Sequence, residues 1–334
     1  MSDDGFDVVA VGSAIVDILV EADAADVAGS GLEPGGMTLV DLATSDALYQ
    51  MVRPSAQVSG GSAANTAVGV AALGGAVGFM GRTASDAFGA LFRRDLAEMG
   101  VAVGRSRQPD GESPSGTGRC VVLVTADGER TMATYLGVAT MLEPGDIDEA
   151  MVAASRVLYL EGYLWDVASA KEALRQAIDV AHRNEVLVAL SASDRMCVDR
   201  HRRELLDLVG DEIDVLFANE EEAVALFGAP TVEAAVDRAA STGILVAVTR
   251  GAAGSVVVTP SGSLSVPAAD PGAVVDTTGA GDLYAAGFLY GLTHGGDPDQ
   301  CAALGSAAAA EVVSHLGARP LVDLRPLAAS VGRV

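Results

Sequence analysis

The 334-residue chain contains a single lysine, few aromatic residues and no cluster of basic side chains. Its formal net charge is -24, and every cationic residue other than Lys171 and the four histidines is an arginine. Proteins that bind nucleic acid carry basic patches that neutralise the phosphate backbone. The composition therefore argues against a nucleic-acid partner, and the acidity is typical of a solvated surface.

Cysteine and histidine are also scarce. Cys120, Cys197 and Cys301 lie far apart without C-x-x-C spacing, and the four histidines show no metal spacing. This pattern predicts reduced, buried cysteines in a cytoplasmic protein, without a disulfide or zinc framework. Residues 1–4 are acidic where a signal peptide would be basic. The uncharged run 54–81 is interrupted by polar residues and glycines, so we expect no membrane segment.

Several nucleotide-binding motifs are missing. The sequence has no G-x-x-x-x-G-K-[ST], and Lys171 lies in a helical pattern, which excludes P-loop chemistry. It has no protein-kinase H-R-D or D-F-G motif, and the absence of an N-terminal G-x-G-x-x-G disfavours a dehydrogenase. Positive charge at a phosphate site would therefore come from Mg²⁺, a helix terminus and arginine.

Short apolar runs alternate with helical patterns along the chain. The runs are 6–12, 157–160, 186–190, 215–218 and 244–249, and the clearest helical patterns are 167–183 and 232–242. Strands that alternate with helices predict an α/β fold with a mainly parallel sheet covered on both faces. No linker or charge run divides the chain, so we predict a single domain over residues 1–334.

Two segments, at about 13–44 and 113–140, break this alternation. In the second, Asp127-Gly128 joins two extended runs and predicts a tight hairpin. The first is rich in glycine and irregular, and it is expected to add extended structure. A small antiparallel sheet of this kind is suited to act as a lid over an active site. An edge hairpin without a function fits equally well, and a lid can also pair with that of a second subunit in a homodimer.

The most informative run is Gly279-Ala280-Gly281-Asp282, which precedes an apolar helical pattern. Small residues allow backbone N–H groups to approach an anion, and a helix N-terminus favours a phosphate. Asp282 at the same terminus would meet a substrate hydroxyl beside a γ-phosphate. Two alternatives are a degenerate dinucleotide loop, in which this carboxylate would repel the pyrophosphate, and a simple helix cap by Asp282.

A second glycine-rich run predicts a polar site. Gly60-Gly61 interrupts the chain, and Ser62 begins a helix of small residues with Asn65 in its first turn. Tight packing explains the small residues, but it does not explain the glycine pair together with the amide. Asp17 lies among aliphatic residues, where a carboxylate is costly unless it is hydrogen-bonded. Paired sugar hydroxyls would satisfy it.

Together these runs resemble the ribokinase-like, or PfkB, family of carbohydrate and purine kinases. The run from Asp276 to Asp282 resembles the family's C-terminal signature, and Gly60-Gly61-x-x-x-Asn65 resembles its N-terminal signature. The resemblance implies a central, mainly parallel sheet flanked by helices, with a β lid. It also implies that Asp282 is the general base, that Gly279, Ala280 and Gly281 form the anion hole, and that Asp17, Gly60, Gly61 and Asn65 hold the sugar.

The same resemblance implies the nucleotide site and its cofactors. Asn219 and Glu222 match the family's N-x-x-E and would organise Mg²⁺ through water. The run Thr249-Arg250-Gly251-x-x-Gly254 resembles the nucleotide-binding turn, so Thr249, Gly251, Gly254 and Thr278 would contact ATP together with Asn219. A monovalent cation such as K⁺ is a further candidate cofactor.

Within the family, several residues resemble those of adenosine kinases. Arg130 follows the lid turn and would reach the transferred phosphate, and Tyr163 would lie against a nucleoside base. Leu136, Leu164, Trp165 and Met37 are further candidates for an apolar base slot, although Tyr163 and Trp165 also fit an ordinary core. The expected reaction is phosphorylation of the 5′-hydroxyl of adenosine to AMP. A sugar kinase for ribose or a ketohexose is the alternative, and a non-catalytic binding protein is disfavoured because Asp282 and the anion loop are intact.

Overall fold

A nine-stranded sheet forms the centre of the computed structural model, which describes residues 5–104, 115–126 and 128–329. In spatial order the strands are β14 (Gly262–Val266), β13 (Ser255–Thr259), β12 (Leu245–Thr249), β11 (Val215–Asn219), β10 (Leu187–Ser191), β9 (Ser155–Glu161), β1 (Phe6–Val11), β5 (Val77–Met80) and β6 (Ala102–Val103). Pairing is parallel from β12 to β6 and antiparallel at β13 and β14. All five predicted strands lie in this sheet, which confirms the fold class.

The second sheet, which we predicted to act as a lid, has five strands and is mixed rather than antiparallel, since two of its pairings are parallel. In spatial order its strands are β3 (Met37–Leu39), β8 (Arg130–Tyr135), β7 (Gly118–Val124), β2 (Ile15–Glu21) and β4 (Ala56–Gly60). The predicted hairpin between β7 and β8 is confirmed, and Gly128 has the positive φ of 84° that its turn requires. Asp127 lies outside the described residues. The sequence did not predict β4, and the irregular segment after β2 contains a short helix as well as β3.

Helices cover both faces of the central sheet. The helices of the described residues are α1 (Ala24–Ser30), α2 (Leu42–Met51), α3 (Ser62–Ala72), α4 (Ala87–Glu98), α5 (Glu149–Ala153), α6 (Ala168–Arg183), α7 (Arg195–Asp211), α8 (Glu220–Phe227), α9 (Val232–Ala240), α10 (Ala280–Thr293), α11 (Pro298–Val313) and α12 (Arg325–Ala328). Of these, α2 packs against β7 and β8 of the second sheet. Side chains alternate along β1, so Val8 and Ala10 pack into one hydrophobic layer with α3 and α10, while Val9 and Val11 pack into the other with α6. The sheet is therefore buried on both faces, as the apolar runs predicted.

The long uncharged run at 54–81 becomes β4, α3 and β5 in this arrangement. Across residues 5–104, 115–126 and 128–329, none of the helices is both long and apolar enough to cross a membrane. Cys120, Cys197 and Cys301 are buried free thiols, as predicted. The single-domain organisation stays a prediction.

Close packing of α3 against α10 places the site. A Cβ on Gly69 of α3 would lie 2.5 Å from the Ala286 methyl of α10, so only glycine permits this approach. The N-termini of both helices then face the carboxyl ends of the central strands. This crevice is where open α/β sheets bind their ligands.

Candidate active site

The carboxylate of Asp282 joins the two glycine-rich segments. It accepts hydrogen bonds from Ser62 Oγ at 2.6 Å and from Asn65 Nδ2 at 3.0 Å, both in the first turn of α3. The N-cap of α10 is Gly279, and the Asp282 carboxylate reaches across to α3. The helix-cap interpretation of Asp282 is therefore wrong. Burial raises the pKa of Asp282, while Ser62, Asn65 and Arg319 oppose the rise.

The loop before α10 has the shape of an anion site. Gly279 has φ +79°, and a Cβ there would lie 2.8 Å from the backbone of Ala318, so both its conformation and its packing require glycine. A Cβ on Gly281 would meet nothing within 4 Å, because this side of the loop opens into a cavity. Asp276 fixes the loop by accepting hydrogen bonds from the Thr278 N–H at 3.0 Å and the Gly317 N–H at 2.8 Å.

Asp17 lies on β2, on the lid side of the same crevice. A Cβ on Gly60 would lie 2.3 Å from an Asp17 carboxylate oxygen, so glycine is needed at that position. Gly61 has φ +97° and packs against the carbonyl of Ser13. Burial raises the pKa of Asp17 to about 6, although Arg319 and Arg130 partly oppose it. The four predicted sugar-binding residues (Asp17, Gly60, Gly61 and Asn65) are therefore brought together in the structure.

The raised pKa of Asp17 gives a prediction about stability. Its folded pKa of about 6 lies above the ordinary 3.8, so the fold favours the neutral acid, and the resulting loss of stability builds as pH rises from about 3.8 to 6 and is complete above 6. Asp17→Asn should therefore raise the free energy of unfolding at pH 8 by roughly 1–2 kcal/mol, while it weakens acceptor binding. The gain should shrink toward zero as pH falls toward 4. Thermal unfolding at pH 8 and pH 5 measures this, and an equal Tm difference at both pH values would contradict it.

The sequence analysis assigned no acceptor role to Glu161, which lies at the end of β9. Its side chain is fully buried and accepts hydrogen bonds from the Ser13 N–H at 2.7 Å and the Ala63 N–H at 3.1 Å. Burial raises its pKa. A Cβ on Gly12 would lie 2.5 Å from this carboxylate, so β1 also approaches it closely. The available signal was an acidic residue directly after the buried run 157–160.

Two contiguous cavities lie beside the N-terminus of α10. A cavity of about 490 Å³ is lined by the predicted nucleotide residues Thr249, Gly251 and Gly254. A smaller one of about 240 Å³ is lined by Asp282, Asn219, Glu222 and Gly279, among others. The two cavities share Thr249, Gly281 and Tyr284, so the larger one opens toward the smaller one, which Asp282 lines. Thr277 lines the larger cavity. Thr278 lines neither of these two cavities, and its N–H donates to the Asp276 carboxylate.

Asn219 and Glu222 form a reciprocal capping box at the start of α8. Glu222 accepts hydrogen bonds from Asn219 Nδ2 at 2.6 Å and from the Asn219 N–H at 2.9 Å, and burial raises its pKa to about 7. In the described part of the chain, no three acidic, histidine or cysteine side chains gather as a metal site. A single carboxylate on the cavity wall fits Mg²⁺ held through water, since this ion keeps several waters and takes its other ligands from nucleotide phosphates.

The lid brings Arg130 to the anion loop. Its guanidinium forms an ion pair with Asp276, and the two side chains are 9% and 4% exposed. The Nε atom of Arg130 is buried and makes no hydrogen bond to the described residues. Arg130 therefore lies at the phosphate end of the crevice, but its observed partner is a carboxylate of the loop.

The predicted base slot is only partly assembled. Leu164 and Trp165 are 2% and 0% exposed and belong to the hydrophobic core, and the Trp165 Nε1–H donates to Glu204 at 3.2 Å. Their assignment to the slot is therefore wrong, because the turn after β9 directs them into the α6 layer. Tyr163 is 37% exposed and donates its hydroxyl to the Ser193 carbonyl at 3.3 Å. Leu136 lines a separate cavity of about 280 Å³.

A carboxylate at a helix N-terminus, reached from a nucleotide-sized cavity, is the arrangement of an enzyme that transfers phosphate to a hydroxyl. Residues 50–324 match the model of the pfkB family of carbohydrate kinases. The chain belongs to this family, and it is a phosphotransferase with an alcohol group as acceptor.

The relatives include both sugar and nucleoside kinases. A probable sugar kinase from Rhizobium etli is 40% identical with a TM-score of 0.89, over 97% of each chain. Adenosine kinase from Sinorhizobium meliloti is 42% identical with a TM-score of 0.88, over 97% of this chain and 98% of that one. A 5-dehydro-2-deoxygluconokinase from Geobacillus kaustophilus is 30% identical, over 76% of this chain and 78% of its own length.

Proposed function

We propose that this protein transfers the γ-phosphate of ATP to the 5′-hydroxyl of adenosine, giving AMP and ADP. Asp282 takes the proton of the hydroxyl, the freed oxygen forms the new bond to the γ-phosphorus, and the bond to the β-phosphate oxygen breaks. The N–H groups of Gly279 and Gly281 stabilise the charge that develops on the transferred group, and the Ala280 N–H, which donates to the Thr277 carbonyl at 3.2 Å, turns toward it on binding.

The remaining site residues take matching roles in this proposal. The larger cavity holds the nucleotide against Thr249, Gly251 and Gly254, and Asn219 and Glu222 position Mg²⁺ through water. When bound, Mg²⁺ neutralises charge on the β- and γ-phosphates. Arg130 adds positive charge at the anion loop. A role for Thr278 toward ATP, dependence on K⁺ and a homodimer stay predictions.

The observation that carries the choice of a nucleoside is the apolar face of the second sheet, which is buried at Cys120 and Val122 and exposed at its edge strand β3. Strand register places Cys120, Thr134 and Leu39 in one row with Asp17, and Val122, Met132 and Met37 in the next row with Leu19. Directly paired residues point to the same face of a sheet. The face that carries Asp17 therefore also carries an apolar surface beside it.

This surface suits an acceptor with an apolar group beyond its sugar. Met37 and Leu39 are 51% and 61% exposed, whereas Val121 and Ala133, on the opposite face, are buried in the core. A purine gains by leaving water against such side chains, and a free sugar has no comparable group. The 42% identity to an adenosine kinase supports the same choice. Tyr163 would contact the base from the other side of the crevice, while Leu136, which lines a separate cavity with Leu39 and Thr134, stays a predicted contact.

A sugar kinase is the second candidate. It is supported by the likeness to the Rhizobium etli protein and by a fructokinase from Klebsiella pneumoniae, which is 32% identical over 74% of this chain and 81% of its own length. Its acceptor would use Asp17, Gly60, Gly61 and Asn65 in the same way. Turnover of adenosine against ribose, fructose and 5-dehydro-2-deoxygluconate separates the two candidates. Turnover of a free sugar with none of adenosine would overturn the nucleoside proposal.

Met132→Ser tests the lid surface directly. We expect KM for adenosine to rise roughly ten-fold, while kcat and KM for ATP change little. The reason is that about half of the free energy of burying an apolar side chain against the base is lost. Met99→Ser is the matched control, because Met99 is 48% exposed at the end of α4. An unchanged KM for adenosine in Met132→Ser would show that the base does not lie on this face.

A further inference from the structure

Arg319 contacts the base-holding residues from a distant part of the sequence. It follows α11, and its Nε–H donates to Asn65 Oδ1 at 3.0 Å while Nη2 donates to the Ser59 carbonyl at 2.5 Å. The same Asn65 donates its Nδ2–H to Asp282 at 3.0 Å. A continuous chain of hydrogen bonds therefore runs from the guanidinium through the amide to the carboxylate.

The order of donors and acceptors in this chain has one solution. A guanidinium carries only donors, so the oxygen of the Asn65 amide must face Arg319. The amide N–H groups are then left to face Asp282, where they stabilise an ionised acceptor. Without Arg319 the amide can rotate and present its oxygen to the carboxylate, an arrangement that disfavours the charged base.

We propose that Arg319 is a positioning residue that fixes the amide of Asn65, so that the Asp282 carboxylate stays ionised and aimed at the acceptor hydroxyl. This inference rests on the proposed role of Asp282 as base. A second feature supports it: the Nη1 atom of Arg319 is buried and makes no hydrogen bond to residues 5–104, 115–126 or 128–329. A buried donor without a partner costs stability, so an arginine at this position does not serve packing alone.

Electrostatics point in the same direction. The positive charge of Arg319 lowers the pKa of both Asp282 and Asp17, against the effect of their burial. The charged or titratable groups that act on Arg319 or Asp282, or share a cavity wall with Asp282, are Asp17, Asp95, Tyr159, Glu161, Tyr163 and Glu222. Arg130 acts on Asp17, whereas Arg319 is hydrogen-bonded to a residue that holds Asp282.

The test compares Arg319→Met, Arg319→Lys and the control Arg325→Met by the pH dependence of kcat/KM for the acceptor. Arg325 lies six residues after Arg319 in the sequence. It is exposed and forms an ion pair with Asp323. Arg319→Met should lower kcat about 10- to 100-fold. Its acid limb should move to higher pH by roughly one unit, since the cation that favours the ionised base is gone. Arg319→Lys should return the acid limb toward the wild-type position, and Arg325→Met should match wild type.

Two outcomes separate the possible failures. If Asp282→Asn stays active, the proposed role of Asp282 as base is wrong. If Asp282→Asn is inactive while Arg319→Met keeps the wild-type acid limb, only the role of Arg319 is overturned. Should Arg319→Met not fold, Arg319→Gln, which also removes the positive charge, is compared in wild-type and Asn65→Ala backgrounds. Action through Asn65 predicts that the glutamine substitution moves the acid limb in wild type and moves it much less once Asn65 is alanine. Equal effects in both backgrounds would contradict the proposal.

Discussion

Asp282→Asn should lower kcat by about 10²- to 10⁴-fold, the usual contribution of a positioned proton acceptor. The amide has the shape of the carboxylate but cannot take the proton. The hydrogen bond from Ser62 can persist, whereas the bond from Asn65 is lost because the new NH2 faces the Asn65 NH2, so the Tm should fall slightly while KM for ATP changes little. Steady-state kinetics and thermal unfolding of the same preparation measure both parts of this prediction.

The matched control is Asp299→Asn, because Asp299 also lies in the first turn of a helix, α11, but is exposed to solvent. It should behave as wild type. In the wild-type enzyme, kcat/KM should decrease as the pH is lowered. This decrease should begin at a higher pH than an ordinary aspartate would give, since burial raises the pKa of Asp282 and the base must be ionised. A variant Asp282→Asn with near-native kcat would refute the assignment.

Arg130→Ala is expected to have the second largest effect, a loss of about 10²- to 10³-fold in kcat with a smaller rise in KM. The substitution removes positive charge from the anion loop and leaves the Asp276 carboxylate buried without its ion-pair partner. Arg53→Ala, an exposed arginine just before β4, is the control. Steady-state kinetics with varied ATP and varied acceptor separate the two parameters.

The ion pair with Asp276 makes a second comparison necessary. If Arg130 only neutralises Asp276, then Arg130→Ala should cause little further loss in kcat when Asp276 is already asparagine. If Arg130 also reaches the transferred phosphate, a large loss in kcat should remain in that background. A pure KM effect would show that Arg130 only steers the substrate.

The parts of the site that the sequence predicted are those encoded by local backbone chemistry. Gly279 and Gly61 have positive φ, and a Cβ on Gly60 would overlap the Asp17 carboxylate, so the glycine pattern marks these positions directly. The strand runs were equally clear, because a sheet buried on both faces requires continuous apolar segments.

The parts that were missed depend on tertiary placement. Arg319 follows a helix in a short loop with no distinctive local pattern, and only the packing of that loop under Gly279 brings it to Asn65. Trp165 was assigned to the cleft because an aromatic residue after a strand looks the same whichever layer it enters. Its burial against α6 decides the question, and neighbouring residues in the sequence do not encode that choice.

The most direct test of the account is acceptor-dependent formation of ADP by the purified protein with Mg²⁺ and ATP. The panel contains adenosine, other nucleosides and the free sugars, with Asp282→Asn as the blank. We predict that adenosine supports the fastest ADP formation, that AMP appears in equal amount by mass spectrometry, and that both are lost in Asp282→Asn. ADP formation from adenosine that is undiminished in Asp282→Asn, or none with any acceptor, would contradict it.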